Sequence, residues 1–350
     1  MLLCAWVAAA QVAETLVGGP YVIHVSRSQA TIAWVVRATG VLLGESPDRL
    51  EPPAPVLEVR KKTHGGLRPG TTYYYDALGL EAGKGRFKTA HDGEASFRFV
   101  VYGDTRSRHD MHRRVASAIS QAEPDFVVHT GDLVADGRET SQWPVFFEIE
   151  NELLRKTVFF PVLGNHERNS PHYHEFFSVT RPYYSFDWGA AHFILLNSDV
   201  GNTAPSPEAR DAFWQEQTRW LEQDLEKSKN AALRFAVFHH PPISSVKRRQ
   251  GTKHRVQEWV PLLEKYGVTA VFSGHDHNYQ HHLRNGVHYI VTGGGGAPLY
   301  DVDVPHPGIT LRVARTEHFV ETRVEGRNAR VHAFALDGSV IEMLTLGDSH

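Results

Sequence analysis

Cysteine is nearly missing from this sequence. Its 350 residues include one, Cys4, so no intrachain disulfide can form and no thiolate metal cluster can be built. Any metal the chain holds must sit on nitrogen and oxygen donors. No apolar run approaches the ~20 residues that a helix needs to cross a bilayer, so no membrane span is expected. An excess of one charge is missing too: 37 Lys and Arg stand against 40 Asp and Glu, a formal net charge of −3. That balance gives no sign of a nucleic-acid partner or an anionic membrane surface. The basic triplet Lys247–Arg249 is too short a block to change this, and reads as a solvated loop. Internal repeats and low-complexity segments are also absent. What remains, 41% hydrophobic and 22% charged residues, is the composition of an ordinary globular protein, long enough for two domains.

The chain starts with MLLCAWVAAAQVA. Residues 1–17 have the apolar stretch and small residues of an export signal but lack its basic start, and read equally as a frayed N-terminal strand. Export, to a secreted or periplasmic location, follows from the first reading and a cytoplasmic location from the second. From residue 18 to about 92 the texture is all-β. YVIHVS, QATIAWVV and GVLLGES are rich in β-branched and aromatic residues and bounded by Gly, Ser and Pro. LRPGTTYYYDALGL places a Pro-Gly turn before an alternating tyrosine run, as in a β-sandwich strand with a tyrosine at its corner. Nothing in this segment reads as catalytic.

From residue 93 to 350 apolar runs alternate with helical patterns. The runs are FRFVVYGD, DFVVHTGD, VFFPVLGNHE, AHFILLNSD, LRFAVFHHPP and VTAVFSGHDH. Such unalternating runs suit strands buried on both faces of a sheet covered by helices. MHRRVASAISQAEP and PEARDAFWQEQTRWLEQDLEKS carry the helical spacing, with Trp214, Leu221 and Leu225 on one stripe of the second. Two strand-like runs around Asp337-Gly338 read as a C-terminal hairpin.

Five of the six apolar runs end in a polar constellation: Asp104, Asp132, Asn165-His166-Glu167, His239-His240 and His275-Asp276-His277. With 22 histidines in the chain, any single pair is unremarkable. Five such endings at the carboxyl ends of strands in an α/β domain, where ligands bind, require another explanation. Imidazole and carboxylate donors together suit Zn, Fe or Mn.

In this order, GD…GD…GNHE…HH…GHDH resembles the calcineurin-like metallophosphoesterase superfamily, over about Ser96 to Leu346. The preceding β segment and VTGGGGAPLY are similar, more narrowly, to the purple acid phosphatase group, which joins a fibronectin type III-like domain to the phosphatase domain. The resemblance implies a four-layer α/β/β/α sandwich behind an N-terminal all-β sandwich. It implies two metal ions, of Fe, Zn or Mn, and hydrolysis of a phosphorylated small molecule or other phosphoester by attack of metal-bound hydroxide. Carried across, Asp104 binds the first metal, Asp132 bridges, Asn165, His239 and His275 hold the second, and His277 completes the first. His166 meets the substrate phosphate, and Glu167 orients or charge-stabilises that imidazole. His275 and His277 point the same way from an extended segment, one to each metal, with Asp276 facing away, either supporting a ligand or, the preferred reading, forming the turn.

Two positions depart from the pattern. Ala135 stands where purple acid phosphatases have the tyrosine that gives their colour. Arg106 stands where other superfamily members have a histidine ligand, and a guanidinium stays protonated and cannot ligate a cation. Arg106 is expected instead to pair with substrate phosphate through its planar fork. The same two positions support a rival expectation: a non-catalytic phosphate-binding or adhesion protein with a degraded first metal site. Gly293–Gly296 opens no helix before Pro298 and reads as a tight loop near the metal edge rather than a dinucleotide loop. His192 reads as a core histidine. His240 supports a ligand or belongs to the HHPP turn, and His172 and His174 line a pocket or plain surface.

Overall fold

The computed structural model describes residues 15–38, 44–49, 56–77, 83–249 and 255–347. The expected export segment lies outside these residues except for its last three, which open a strand. Residues 40–43 of the expected GVLLGES strand lie outside them as well.

Two sheets face one another across a phenylalanine-rich core. In the first, β6 (Phe97–Tyr102), β7 (Phe126–His129) and β8 (Val158–Pro161) run parallel. They are joined by α1 (His109–Gln121) and α2 (Gln142–Leu154). Their inward residues Phe99, Phe126 and Phe160 meet Phe193, Phe235 and Phe272 of the second sheet in one apolar cluster. Phe99 packs edge-on against Phe193 and Phe235 at ring distances of 5.1 and 5.3 Å, the geometry aromatic quadrupoles favour. Their outward residues Val100, Val127 and Phe159 pack against Val115 and Ile119 of α1 and Trp143, Phe146 and Phe147 of α2. Burial on both faces is why these strands carry no polar alternation.

The second sheet repeats the arrangement. After the short α3 (Pro171–Phe176) come β9 (Tyr184–Trp188), β10 (Ala191–Leu195), α4 (Pro207–Lys227) and β11 (Leu233–Val237). They are followed by α5 (Val260–Lys265), β12 (Ala270–Ser273), β13 (Tyr279–Arg284), β14 (Val287–Thr292) and β15 (Thr310–Ala314). These strands form a seven-stranded sheet in the order β15-β13-β14-β12-β11-β10-β9. Ser206 caps α4 by accepting the Ala209 N–H at 3.2 Å, and Pro207 opens its first turn, a preferred helix start. Trp214, Leu221 and Leu225 are all at most 1% exposed, and they pack with Ile194, Ala236 and Val271 beneath them. The four α/β/β/α layers expected from the sequence are therefore present.

β16 (His318–Glu325), β17 (Asn328–Ala335) and β18 (Val340–Gly347) flank β6 as an antiparallel meander. The β17–β18 hairpin turns at Asp337-Gly338, where Gly338 takes φ 84°.

The N-terminal β unit comprises β1 (Thr15–Ile23), β2 (Gln29–Ala38), β3 (Val56–Gly65), β4 (Thr72–Asp76) and β5 (Lys84–Lys88). Tyr73 is a corner tyrosine: its hydroxyl accepts the N–H of Arg68, five residues upstream, at 2.9 Å. A relationship the sequence did not reveal is that β1 pairs in parallel with β8 through Val22 and Val158. The first sheet thereby becomes nine-stranded, in the order β18-β17-β16-β6-β7-β8-β1-β2-β3. Val22, Ile32 and Phe87 join the central core, and Tyr21 stacks on Phe147 of α2 at 5.1 Å. The N-terminal unit thus shares its core with the α/β layers.

Candidate metal centre

Each expected site residue follows the carboxyl end of a strand near the facing edges of the two sheets. Asp104 follows β6, Asp132 follows β7, Asn165 and His166 follow β8, His239 follows β11, and His275 and His277 follow β12. The chain turns sharply at these points. Asp104, Asp132 and His275 have φ of 60°, 59° and 69°, left-handed values that non-glycine residues adopt where surrounding structure enforces them. The expected extended segment at 275–277 is therefore not found: β12 ends at Ser273 and His275 is left-handed, which sends its imidazole and that of His277 to different places.

Two groups of ligand-type atoms result. His239, His240 and His275 form one, and Asp104, Asp132 and His277 form the other. In the first, His239 Nε2 lies 3.2 Å from His275 Nδ1, 3.2 Å from Asn165 Oδ1 and 3.3 Å from Asp132 Oδ1. In the second, His277 Nε2 lies 3.4 Å from Asp104 Oδ1. Asp132 lies at the border of the two, its Oδ1 3.3 Å from His239 Nε2 and its Oδ2 3.3 Å from Arg106 Nε.

The donor chemistry fits metal cations. His239 Nδ1 lies 2.8 Å from the Thr130 carbonyl and His277 Nδ1 lies 2.7 Å from the Pro298 carbonyl. A carbonyl only accepts, so both Nδ1 atoms carry the proton and each bare Nε2 lone pair turns inward, as metal-ligating imidazoles require. Burial holds both rings neutral, lowering His239 to about 3 and His277 to about 4. Burial and the neighbouring Asp132 push the Asp104 carboxyl well above the usual range. Asp104 Oδ1 is buried with no hydrogen-bond partner among the described residues. A cation at that point supplies the counter-charge that two adjacent buried carboxylates need.

The surrounding loops hold the ligands rigidly. Asp104 Oδ2 accepts the backbone N–H of His275 at 2.9 Å, tying the two sheets together. A Cβ at Gly293 would stand 2.8 Å from that same Oδ2. The glycine run passes beside the site as expected, with the Gly295 and Ala297 N–H groups donating to the Gly103 and Asp104 carbonyls.

Two expectations from the sequence, for Glu167 and Asp276, are corrected. Glu167 does not orient His166. It is fully buried and accepts N–H bonds from Asp132, Leu133 and Gly164 at 2.8, 2.7 and 2.7 Å, pinning the Asp132 turn to the loop after β8. The His166 imidazole instead donates from Nδ1 to the Ala135 carbonyl at 2.6 Å. Asp276 is more than a turn residue: fully buried, it accepts Ser244 Oγ at 2.5 Å and Arg249 Nε at 3.2 Å, anchoring the 244–249 loop. Repulsion from two neighbouring carboxylates explains why neither acid stands free beside the ligand cluster.

His166 is the least buried of the expected imidazoles at the site, its side chain 26% exposed and its Nε2 3.9 Å from Asp132 Oδ2. Arg106 leans into the second group, with Nη2 3.5 Å from His277 Nε2. His192 is a buried structural histidine, held between Asp187 and Asp224 at 2.6 and 2.9 Å. His172 and His174 are tied to Thr140 and to Asn169 and Val179. Ser198 and Asp199 were missed. Ser198 Oγ accepts the His240 N–H and pairs with His240 Nδ1, both at 2.9 Å, and burial pushes Asp199 up to about 6. Their signal was the NSD ending of AHFILLNSD, the fourth of the six apolar runs.

Comparison with known proteins agrees with this geometry. The calcineurin-like phosphoesterase family profile matches residues 97–279, more than half of the chain. An uncharacterized protein of Mycobacterium tuberculosis is 28% identical over 264 residues, covering 62% of this chain and 50% of its own. Tartrate-resistant acid phosphatase type 5 of Rattus norvegicus is 26% identical over 251 residues, covering 61% of this chain and 76% of its own. The chain thus spans half the length of the first relative and about three quarters of the second. A purple acid phosphatase from yellow lupin (Lupinus luteus) superposes with a TM-score of 0.70 over 94% of this chain and 74% of its own, at 17% identity. The profile match, the fold and the two ligand groups at the strand ends together show that this chain belongs to the calcineurin-like phosphoesterase family.

Proposed function

We propose that this chain is a dinuclear metal-dependent phosphoester hydrolase of the acid phosphatase type. The observation that carries the reading is the place of Asp132: it groups with Asp104 and His277, and its Oδ1 lies 3.3 Å from His239 Nε2 of the other group. In this reading Asp132 bridges, Asp104 and His277 hold the first ion, and Asn165, His239 and His275 hold the second. His240, within the same group, buttresses His275 with its ring 4.3 Å away. Divalent cations bound there supply Lewis acidity toward phosphoryl oxygens and a water acidic enough to act as nucleophile at neutral pH.

The chain's own residues supply the rest. His166, anchored through Nδ1 and partly exposed, presents Nε2 to the phosphate or to the leaving-group oxygen, where it can donate a proton. The Arg106 guanidinium offers a fork for the phosphate oxygens once drawn away from Asp132. The corner hydrogen bond of Tyr73 supports a fibronectin type III-like assignment for residues 18–92, ahead of a phosphoesterase domain at 93–350.

Asp132→Asn tests the reading. The variant is expected to keep the fold by circular dichroism, lose bound metal by elemental analysis and lose hydrolysis of a chromogenic phosphate ester. Full metal content and activity in that variant would sink the two-ion assignment. The position of Arg106 against the Asp104–Asp132–His277 group favours a second reading, a phosphate-binding protein without turnover. Metal-loaded wild type that binds inorganic phosphate but turns over no ester would establish it.

A further inference from the structure

His277 is held by more than its hydrogen bond. Its Nδ1 donates to the Pro298 carbonyl at 2.7 Å, which sets the direction of the imidazole but leaves the ring free to swing about that axis. Further along the same segment, the Tyr300 ring lies on the imidazole, with centroids 4.0 Å apart and planes 25° apart. The Tyr300 backbone is tied to the ligand turn as well. Its N–H donates to the His277 carbonyl at 3.0 Å, and its carbonyl accepts Asn278 Nδ2 at 3.2 Å. A flat face held there by the main chain removes the rotation that the hydrogen bond permits.

The other face of Tyr300 is covered by Arg248, whose guanidinium carbon lies 3.6 Å from the ring centroid, a cation–π contact. At 3.6 and 4.0 Å from one centroid, the guanidinium and the imidazole leave each other no room on a single face. The phenol ring is therefore sandwiched between them. The loop that carries Arg248 is fastened to the segment that follows Tyr300. Lys247 N–H donates to Asp303 Oδ1 at 2.9 Å, and the Asp303 and Val304 N–H groups donate to the Ser245 carbonyl at 3.1 Å. Arg249 Nε, next in the chain, donates to Asp276 Oδ1 at 3.2 Å, so the loop also grips the ligand turn itself.

We propose that Tyr300, backed by Arg248, is a positioning residue that fixes the plane of the His277 imidazole and thereby sets ion affinity at the Asp104–Asp132–His277 group. The inference rests on the two-ion reading above. His277 Nε2 lies 3.4 Å from Asp104 Oδ1 and 3.5 Å from Arg106 Nη2. A swing of the ring would turn its lone pair out of that space, and groups that orient a ligating imidazole commonly change metal affinity by about 10–100-fold. Both contacts on Tyr300 are to its ring face, so the hydroxyl is dispensable for this role. Tyr300 is half-buried and Arg248 exposed, so replacing either leaves the central core intact.

Equilibrium dialysis against Co²⁺ tests this, read by elemental analysis and by the visible ligand-field absorption of the bound ion. Wild type is expected to take up two equivalents. Tyr300→Leu keeps bulk but offers no flat face. It is expected to bind the first equivalent as wild type does, and the second roughly tenfold or more less tightly with an altered visible spectrum. Tyr300→Phe, which keeps the face, should restore both the affinity and the spectrum. Wild-type affinity and spectrum in Tyr300→Leu would overturn the proposal. So would equal weakening of both equivalents, or a Tyr300→Phe protein as impaired as Tyr300→Leu. Arg248→Ala tests the same sandwich from an exposed position, with the second equivalent expected to weaken about threefold; unchanged affinity there would overturn the backing role of Arg248. Wild type that takes up fewer than two equivalents would instead refute the two-ion reading itself.

Discussion

Arg106 Nε stands 3.3 Å from Asp132 Oδ2, and the same guanidinium reaches within 3.5 Å of His277 Nε2. A cation entering the Asp104–Asp132–His277 group must displace a fixed positive charge that touches two of its members. The histidine-rich group is therefore expected to fill first and to hold its ion more tightly. Arg106→His exchanges the obstructing charge for a neutral nitrogen donor. Elemental analysis after dialysis should then show a second equivalent of metal retained, with affinity at the Asp104–Asp132–His277 group raised roughly tenfold or more. Identical stoichiometry and affinity in the two proteins would mean that the guanidinium does not govern loading.

His166 and His275 lie on opposite sides of the distinction between substrate handling and metal assembly. His166→Ala should keep its metal and lower turnover by roughly 10²–10⁴-fold. Esters with poor leaving groups should suffer more than activated aryl esters, whose oxygen needs no proton. His275→Ala should lose metal and activity together, with partial rescue by excess metal. Metal loss in His166→Ala matching that in His275→Ala would make His166 a ligand.

Glu167 is expected to matter for the rigidity of the site rather than its chemistry. Glu167→Ala strands three backbone N–H groups, those of Asp132, Leu133 and Gly164, at roughly 1–3 kcal/mol for each buried donor left without a partner. The melting temperature should fall and metal retention with it. Glu167→Gln, which keeps an acceptor oxygen, should recover much of both. A Glu167→Ala protein as stable as wild type would refute the pinning role.

His192 supplies a pH-dependent element of stability far from the chemistry. Burial lowers its pKa, but hydrogen bonds to Asp187 and Asp224 outweigh that and raise it to about 9, above the ~6.5 of an unfolded histidine. The folded state therefore favours the protonated ring. This contribution is fully present below pH ~6.5 and disappears as pH rises through about 9. Denaturant unfolding of His192→Gln should show a deficit of order 1–2 kcal/mol at pH 6 that narrows by pH 10. A deficit independent of pH would mean that His192 contributes packing alone.

The sequence by itself determined the layers and the edge at which the polar strand ends gather. The strands had to be buried on both faces because their apolar runs leave no polar side, and each run stops at the residues that converge on the metal edge. The stripe of Trp214, Leu221 and Leu225 announced the packing face of α4 for the same local reason. Such features are properties of one segment, so they are legible one segment at a time.

Tertiary structure alone decided the rest. The pairing of β1 with β8 depends on two strands more than a hundred residues apart, and Val22 and Val158 carry no local mark of it. The neighbours of the site acids were equally hidden. Glu167 sits next to His166 in the chain, yet its carboxylate turns to the Asp132 backbone, because burial beside another carboxylate demands N–H donors rather than a partly exposed imidazole. Asp276 lies between two ligands but is drawn to Ser244 and Arg249 on a distant loop. The place of Asp132 beside His239, and the entry of Arg106 among Asp132 and His277, follow from where four loops from two sheets meet, a relation in space that no spacing along the chain encodes.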